Sequence, residues 1–166
     1  MPDQAHEIIQ SHPAVLRVKQ ALREAGLPDT IIVMNEATHT AQAAAEALGC
    51  AVAEIAKSII FRAGERAVLV ITSGKNRVDD KKVVALINEK IGKADADFVR
   101  EQSGFVIGGV APIAHRHPPI VLMDAELMHH VHVYPAAGHP NTMFRIAPPD
   151  LARIAGARVA DIALIK

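Results

Sequence analysis

Cys50 is the sole cysteine of the chain, which rules out an intramolecular disulfide and fits a reducing compartment. Tryptophan is absent and aromatic residues make up only 3% of the sequence, although half of the residues are hydrophobic. The core must therefore be built from Ala, Val, Ile and Leu, with few platforms for stacking. Neither sign of charge is in excess, since 18 Lys plus Arg balance 18 Asp plus Glu. Such a chain lacks the basic field of a protein that grips long nucleic acid through many phosphates; contact with only the tip of a nucleic acid stays available. No charged-then-apolar leader opens the chain, and no apolar run approaches the roughly 20 residues of a membrane span. The expectation is a cytoplasmic protein with no membrane partner. A length of 166 residues suits one domain that buries roughly two-thirds of its unfolded surface.

Ser11-His12-Pro13 reads as the start of a first helix, with Ser11 as cap and Val15, Val18 and Leu22 at helical spacing before Gly26. Thr30 to Met34 reads as a strand. Thr40 caps an alanine-rich helix that ends at Gly49. Two apolar runs, Ile55 to Arg62 and Ala67 to Thr72, flank Gly64-Glu65 and predict a β-hairpin. Asp79-Asp80 starts another helix, and a short strand is expected around Phe98-Val99. Strands are expected at Pro119–Met123, His130–Tyr134 and Met143–Ile146, with a short helix capped by Asp124 and a closing helix from Pro149-Asp150. Consecutive short strands interleaved with helices argue for an α+β domain around a mixed or largely antiparallel sheet.

Two stretches stand out. At the strand period, Lys57 shares a face with Ile55, Ile59 and Phe61. If that face is the core side, the ammonium needs a partner, deprotonation or a cavity that binds something polar or anionic. The alternative is an edge lysine that snorkels to water along Ile59, and both readings stand at this point. In the second stretch, Ser103 to Pro112, Gly104, Gly108, Gly109 and Pro112 punctuate an apolar run. Glycine there signals positive φ or close approach of a ligand to the backbone, with a bulged strand corner as the alternative.

Other chemistry finds little support. His130 with His132, or His115 with His117, could pair on a metal, but there is no cysteine pair and no His-Glu-x-x-His. No Gly-x-Ser-x-Gly elbow occurs, Ser73-Gly74-Lys75 is not a phosphate loop, and Cys50 follows a helix end, where a thiolate is not activated. No metal or cofactor is expected.

Ile55-Ala56-Lys57-Ser58-Ile59-Ile60-Phe61, then Arg77-Val78-Asp79, then Gly104 to Ile113 resemble, in order and spacing, the YbaK/EbsC group. That group belongs to the editing-domain superfamily that includes the insertion domain of bacterial prolyl-tRNA synthetase. The similarity runs from about Thr30 to the C-terminus, so residues 1–29 read as an added helix and turn and 30–166 as the matched core of a single domain. The resemblance implies a central mixed, barrel-like sheet with helices around it. It also implies a trans-editing hydrolase that deacylates mischarged aminoacyl-tRNA at the ester of the 3′-terminal adenosine. On that reading Lys57, Gly108 and Gly109 form the catalytic centre, and Ile59, Arg77, Val110, Ala111 and Pro112 contact substrate, with His139 either a specificity residue beside them or an exposed loop residue. The backbone from Gly108 to Pro112 would orient the ester carbonyl and the attacking water. A vicinal ribose hydroxyl of the substrate would help to activate that water, so that no protein base is needed. The implied partner is the tRNA acceptor end, with an aminoacyl-tRNA synthetase as a second candidate. The chain departs from the pattern at Ala114, where close relatives often have glycine, which motivates a second reading as a non-catalytic aminoacyl-tRNA or synthetase-binding module.

Overall fold

The computed structural model describes residues 2–35 and 40–165, with side chains from residue 4 onward. In chain order the elements are α1 (Pro2–Gln10), α2 (Pro13–Glu24), β1 (Ile32–Val33), α3 (Ala41–Leu48), β2 (Ile55–Ala63) and β3 (Arg66–Ser73). They continue with α4 (Asp80–Ile87), β4 (Gly92–Lys93), α5 (Ala96–Ser103), β5 (Ile120–Asp124), β6 (Tyr134–Pro135), β7 (Thr142–Met143), α6 (Pro148–Ala155) and β8 (Arg158–Ala160). No described helix is long and apolar enough to cross a membrane.

The α+β expectation holds, and the principal sheet is mixed. Its order is β4-β2-β3-β5-β8, with β6 also pairing with β2. The β2–β3 hairpin is antiparallel and turns at Gly64-Glu65, where Gly64 has φ 62°. Strand β5 joins β3 in parallel and β8 joins β5 in parallel. The sheet is open, so the expected barrel-like curvature does not become a closed barrel. Strand β3 is its middle: Val68, Val70, Leu69 and Ile71 are all fully buried. Leu69 and Ile71 face a large cluster with Val18, Leu22, Phe105, Phe144 and Leu151. Val68 and Val70 face a smaller one with Val83, Leu122 and Ile162.

Local signals decide most element ends. Thr40 Oγ1 accepts from the Ala43 N–H, and Gly49 closes α3 in the left-handed region. Asp79 caps α4 through the Lys81 N–H. Several expectations are corrected. Helix α2 is capped by the His12 ring, whose Nδ1 accepts from the Ala14 N–H, and Ser11 instead closes α1 by donating to Glu7 O and Ile8 O. Phe98 and Val99 lie in α5, because Asp95 caps it and Gly104 ends it, and these flanking residues outweigh the strand preference of two residues. The strands expected at 30–34, 130–134 and 143–146 shrink to two-residue pairings at Ile32–Val33, Tyr134–Pro135 and Thr142–Met143. Residues 104–119 contain no regular element, so the glycine-rich stretch is a loop and not a bulged strand.

Candidate functional site

Strand β2 is an edge strand along half of its length. Strand β6 covers it at Ile55 and Ala56, β4 covers it at Phe61 and Arg62, and neither pairs with Lys57 to Ile60. Two cavities open onto that gap. The smaller, of about 160 Å³, is lined by Ala41, Ala44, Ile55, Lys57, Ala136 and Met143, among others. The larger, of about 370 Å³, runs along Ile59, Ile60, Phe61, Ile91, Val99 and Ile107. Ser58, Gly108 and Val110 line both.

Lys57 is half-buried, on the face that carries Phe61 and the smaller cluster; the larger core lies on the opposite face, under Ala56 and Ile60. Strand period alone could not rank the two faces, since both are apolar. Lys57 Nζ donates to Asn76 O at 2.9 Å. Burial, reinforced by the Arg77 guanidinium, holds its pKa below the ordinary lysine value, and the Asp124 carboxylate works in the opposite direction. Asp124 is 1% exposed. Its Oδ2 accepts from the Ser73 N–H at 3.1 Å, Asn76 Nδ2 at 2.9 Å and Thr72 Oγ1 at 3.3 Å, while its Oδ1 accepts from the Glu126 N–H at 3.0 Å. Asn76 Nδ2 also donates to Glu126 Oε2, which sits beside a Lys75–Glu126 ion pair of 3.0 Å. The carboxylate thus fixes Asn76, whose carbonyl fixes Lys57.

The glycine-rich loop approaches from the other side. Gly108 has φ 94°, a region that disfavours any Cβ. Gly109 is small for a different reason: a Cβ there would lie 2.9 Å from the His139 carbonyl carbon and 3.0 Å from Pro140 Cδ. His139 therefore packs against Gly109 of the loop and lines neither of the two cavities; its N–H donates to Thr142 Oγ1 and its ring accepts from the Asn141 N–H. Ala111 and Pro112 likewise do not line either cavity, whereas Ile59 lines the larger and Val110 both. Arg77 is placed near Lys57 by its electrostatic influence alone. Lys57, Ile59, Gly108 and Val110 are thus the expected site residues that meet at the gap.

Behind the loop stands a clamp that sequence reading missed. The Arg17 guanidinium donates to Ser103 O, Gly104 O and Ala114 O, and stacks 4.5 Å from the Phe105 ring centroid. His115 Nε2 is 2.6 Å from Ala111 O; a carbonyl only accepts, so Nε2 carries the hydrogen. Its Nδ1 is buried without a partner. Burial, with Arg17 nearby, keeps the imidazole below its ordinary pKa despite the Ala111 bond. A group that is harder to protonate folded than unfolded contributes stability above the ordinary imidazole pKa and loses it as pH falls toward the folded value. Tm is expected to drop on acidification below about pH 6.5, and His115→Gln, which can still donate to Ala111, should flatten that drop in a thermal-melt series over pH.

Ala114 has φ 63°, the left-handed region that a Cβ penalises by roughly 1–2 kcal/mol. The departure from glycine at this position is therefore a strained one. Ala114→Gly is expected to raise stability by about 0.5–1 kcal/mol, since glycine's larger unfolded-state entropy offsets part of the relief; a urea midpoint comparison checks it.

Comparison with known proteins bears on the family of the chain. An uncharacterized protein of Bacillus subtilis strain 168, YwhH, is 33% identical over 121 residues, covering 72% of this chain and 77% of its own. A crystal structure of a protein proposed as a trans-editing enzyme for prolyl-tRNA synthetase superposes with a TM-score of 0.87 at 36% identity, covering 93% of this chain and 99% of that one. A solved chain from work on epitope backbone grafting onto scaffold proteins gives 0.87 at 34% identity, covering 92% and 99%. The family model described as the aminoacyl-tRNA editing domain matches residues 35–154, a span that holds Lys57, the glycine-rich loop and both cavities. With that span matched and the fold shared along nearly the whole chain, the protein belongs to the aminoacyl-tRNA editing domain family.

Proposed function

We propose that the protein is a free-standing aminoacyl-tRNA deacylase that hydrolyses the ester between a small amino acid and the 3′-terminal adenosine of tRNA. The observation that carries this reading is the half-buried Lys57 facing Gly108 at a cavity of about 160 Å³ walled by Ala41, Ala44, Ala136, Val110 and Met143. The volume lies below the ~300–1,000 Å³ of ordinary ligand pockets, which suits a small aminoacyl group and excludes a large one. Size exclusion matters because one methylene is worth only about 1–3 kcal/mol in binding discrimination.

In this mechanism water adds to the ester carbonyl carbon, and the carbonyl oxygen takes up the negative charge. The Lys57 ammonium and the N–H groups of the Gly108 loop stabilise that charge. The bond from the carbonyl carbon to the ribose oxygen then breaks, and the oxygen takes a proton to restore the terminal hydroxyl. The products are the free amino acid and uncharged tRNA. The ester is already reactive, so holding it beside oriented donors supplies much of the acceleration. In this reading the neighbouring ribose hydroxyl of the substrate passes the proton, so that no side-chain base is assigned.

The test is a deacylation panel with tRNAs carrying Ala, Cys, Ser and Thr, plus Ile and Phe as large controls. Release from one or more of the small-residue tRNAs, and none from Ile- or Phe-tRNA, is the expected result. Binding of charged tRNA with no turnover of any member would instead support the non-catalytic module, which the strain at Ala114 in the candidate loop favours.

A further inference from the structure

From the contacts that helix α2 makes with the glycine-rich loop, we infer that Arg17 is a positioning residue: it holds residues 104–114 in the arrangement that brings Gly108 and Val110 to both cavities. The inference rests on the deacylase reading for what the loop does and on the following contacts for how it is held. Helix α2 precedes residues 35–154, the span that the family model matches.

Arg17 reaches both ends of the loop. Its Nη2 donates to Ser103 O at 3.0 Å and to Ala114 O at 3.2 Å, and its Nη1 donates to Gly104 O at 3.3 Å. Gly104 leaves the space for this, since a Cβ there would lie 2.7 Å from Nη2. The charge of the guanidinium is answered by these three carbonyls and by the face of Phe105. Part of the arrangement is ordinary helix capping. Ser103 O and Gly104 O stand at the C-terminal end of α5, where a cation is favourable. Bonds from the Arg116 N–H to Ser103 O and from the His117 N–H to Gln102 O close the neck of the loop without Arg17. The bond to Ala114 O belongs to neither task.

Ala114 is held at φ 63°, a strained backbone that persists only where its surroundings over-determine it. Arg17 supplies that hold. The next residue, His115, donates from Nε2 to Ala111 O inside the loop, and it would turn away from that carbonyl if Ala114 left the left-handed region. A chain of contacts thus runs from Arg17 through Ala114 and His115 to Ala111, the neighbour of Val110. The far side of the loop is fixed from the same helix. Gly138 packs on α2, where a Cβ would lie 2.8 Å from Ala14 O, and the His12 ring meets the His139 ring edge to face at 5.5 Å. Gly109 in turn packs on His139 and Pro140. Helix α2 therefore sets both walls between which Gly108, Gly109 and Val110 are held, and Arg17 is its contact with the strained one.

The experiment follows amide hydrogen exchange in the ¹⁵N-labelled full chain, read at Gly109, whose N–H donates to Val106 O within the loop. Arg17→Met, which keeps the stem and drops the donors, should raise the Gly109 exchange rate at least ~10-fold, the scale of losing hydrogen bonds from a charged donor. The amides of Val68, Leu69 and Val70 in β3 and of Val99 in α5 should stay within about threefold of the wild type, since the opening is local. Adding Ala114→Gly should then slow Gly109 exchange again by ~5–30-fold, because glycine holds positive φ without the Cβ penalty. A role confined to capping α5 predicts no such rescue. Arg17→Lys, which places one ammonium where the planar fork spans three carbonyls, should raise the rate by a smaller factor, and it carries the test if Arg17→Met does not fold. With a mischarged tRNA that the wild type hydrolyses, Arg17→Met should lower kcat at least ~10-fold and move KM by no more than about twofold, the split expected when donors to the transition state are misplaced. Wild-type Gly109 exchange in both Arg17 variants, acceleration of Val99 as large as that of Gly109, absence of rescue by Ala114→Gly, or an unchanged kcat would overturn the inference. Turnover is read separately: control of the loop by Arg17 with no turnover of any charged tRNA by the wild type removes the deacylase reading and keeps the clamp, and turnover with unchanged kcat in Arg17→Met does the reverse.

Discussion

Lys57→Ala is expected to lower kcat/KM for release of the mischarged amino acid by at least ~100-fold, the scale of losing one oriented charge-stabilising donor. It should move Tm by no more than about 2 °C. The separation of the two effects is the informative part. Folding draws little from this lysine: its ammonium is partly desolvated, its pKa is held below the ordinary value, and its one hydrogen bond goes to a backbone carbonyl. Burying a charge with incomplete compensation costs stability, so Lys57→Met, which keeps the stem and drops the charge, should be as stable as the wild type or more so. A residue that opposes folding yet is held in place by Asn76 and Asp124 has a role other than packing. Activity of Lys57→Ala within threefold of wild type would remove Lys57 from the mechanism, and a fall in Tm of the order seen for core truncations would make it structural.

Much of the fold was legible because its signals are local. Thr40 with Gly49, Asp79 at α4, Asp124 at the turn after β5 and Gly64-Glu65 between two apolar runs each act within a few residues, and each does what its chemistry dictates. What escaped depends on long-range partners. The two-residue strands exist only because distant segments meet, as Ile32 meets Met143 and Ile55 meets Tyr134. The period of β2 correctly grouped Lys57 with Ile59 and Phe61, but which face carried the larger core depended on where α2, α5 and α6 packed. At the site, the lysine and the glycine-rich loop were visible as residue types out of place in apolar runs. Arg17, Asn76, Asp124 and His115 were not, since an arginine in an amphipathic helix or an aspartate at a turn is unremarkable until its partners are known. The strain at Ala114 is a milder case, flagged in sequence only by the residue expected there.

Asp124→Ala is expected to have the largest effect on stability of any single change near the site. The carboxylate is 1% exposed and accepts from the Ser73 and Glu126 N–H groups, Asn76 Nδ2 and Thr72 Oγ1. Alanine would leave buried donors without an acceptor, and each such donor costs about 1–3 kcal/mol unless water reaches it. Thr72 can turn its hydroxyl elsewhere and Asn76 keeps Glu126, so the main loss falls on the Ser73 and Glu126 amides, about 3–4 kcal/mol in all. For a chain of this length that corresponds to a Tm drop of roughly 6–16 °C. Asp124→Asn separates charge from shape: its oxygen can serve one set of donors, but its NH2 must then face the other, so an intermediate loss is expected. Both variants weaken the hold on the Asn76 side chain, which keeps only its bond to Glu126 in Asp124→Ala, and so loosen the carbonyl that holds Lys57, and deacylation should fall even at temperatures where the variants remain folded. Equal Tm for wild type and Asp124→Ala would show that the donors find other acceptors. Full activity of a folded Asp124→Asn protein would show that Lys57 is placed by something other than the path from Asp124 through Asn76.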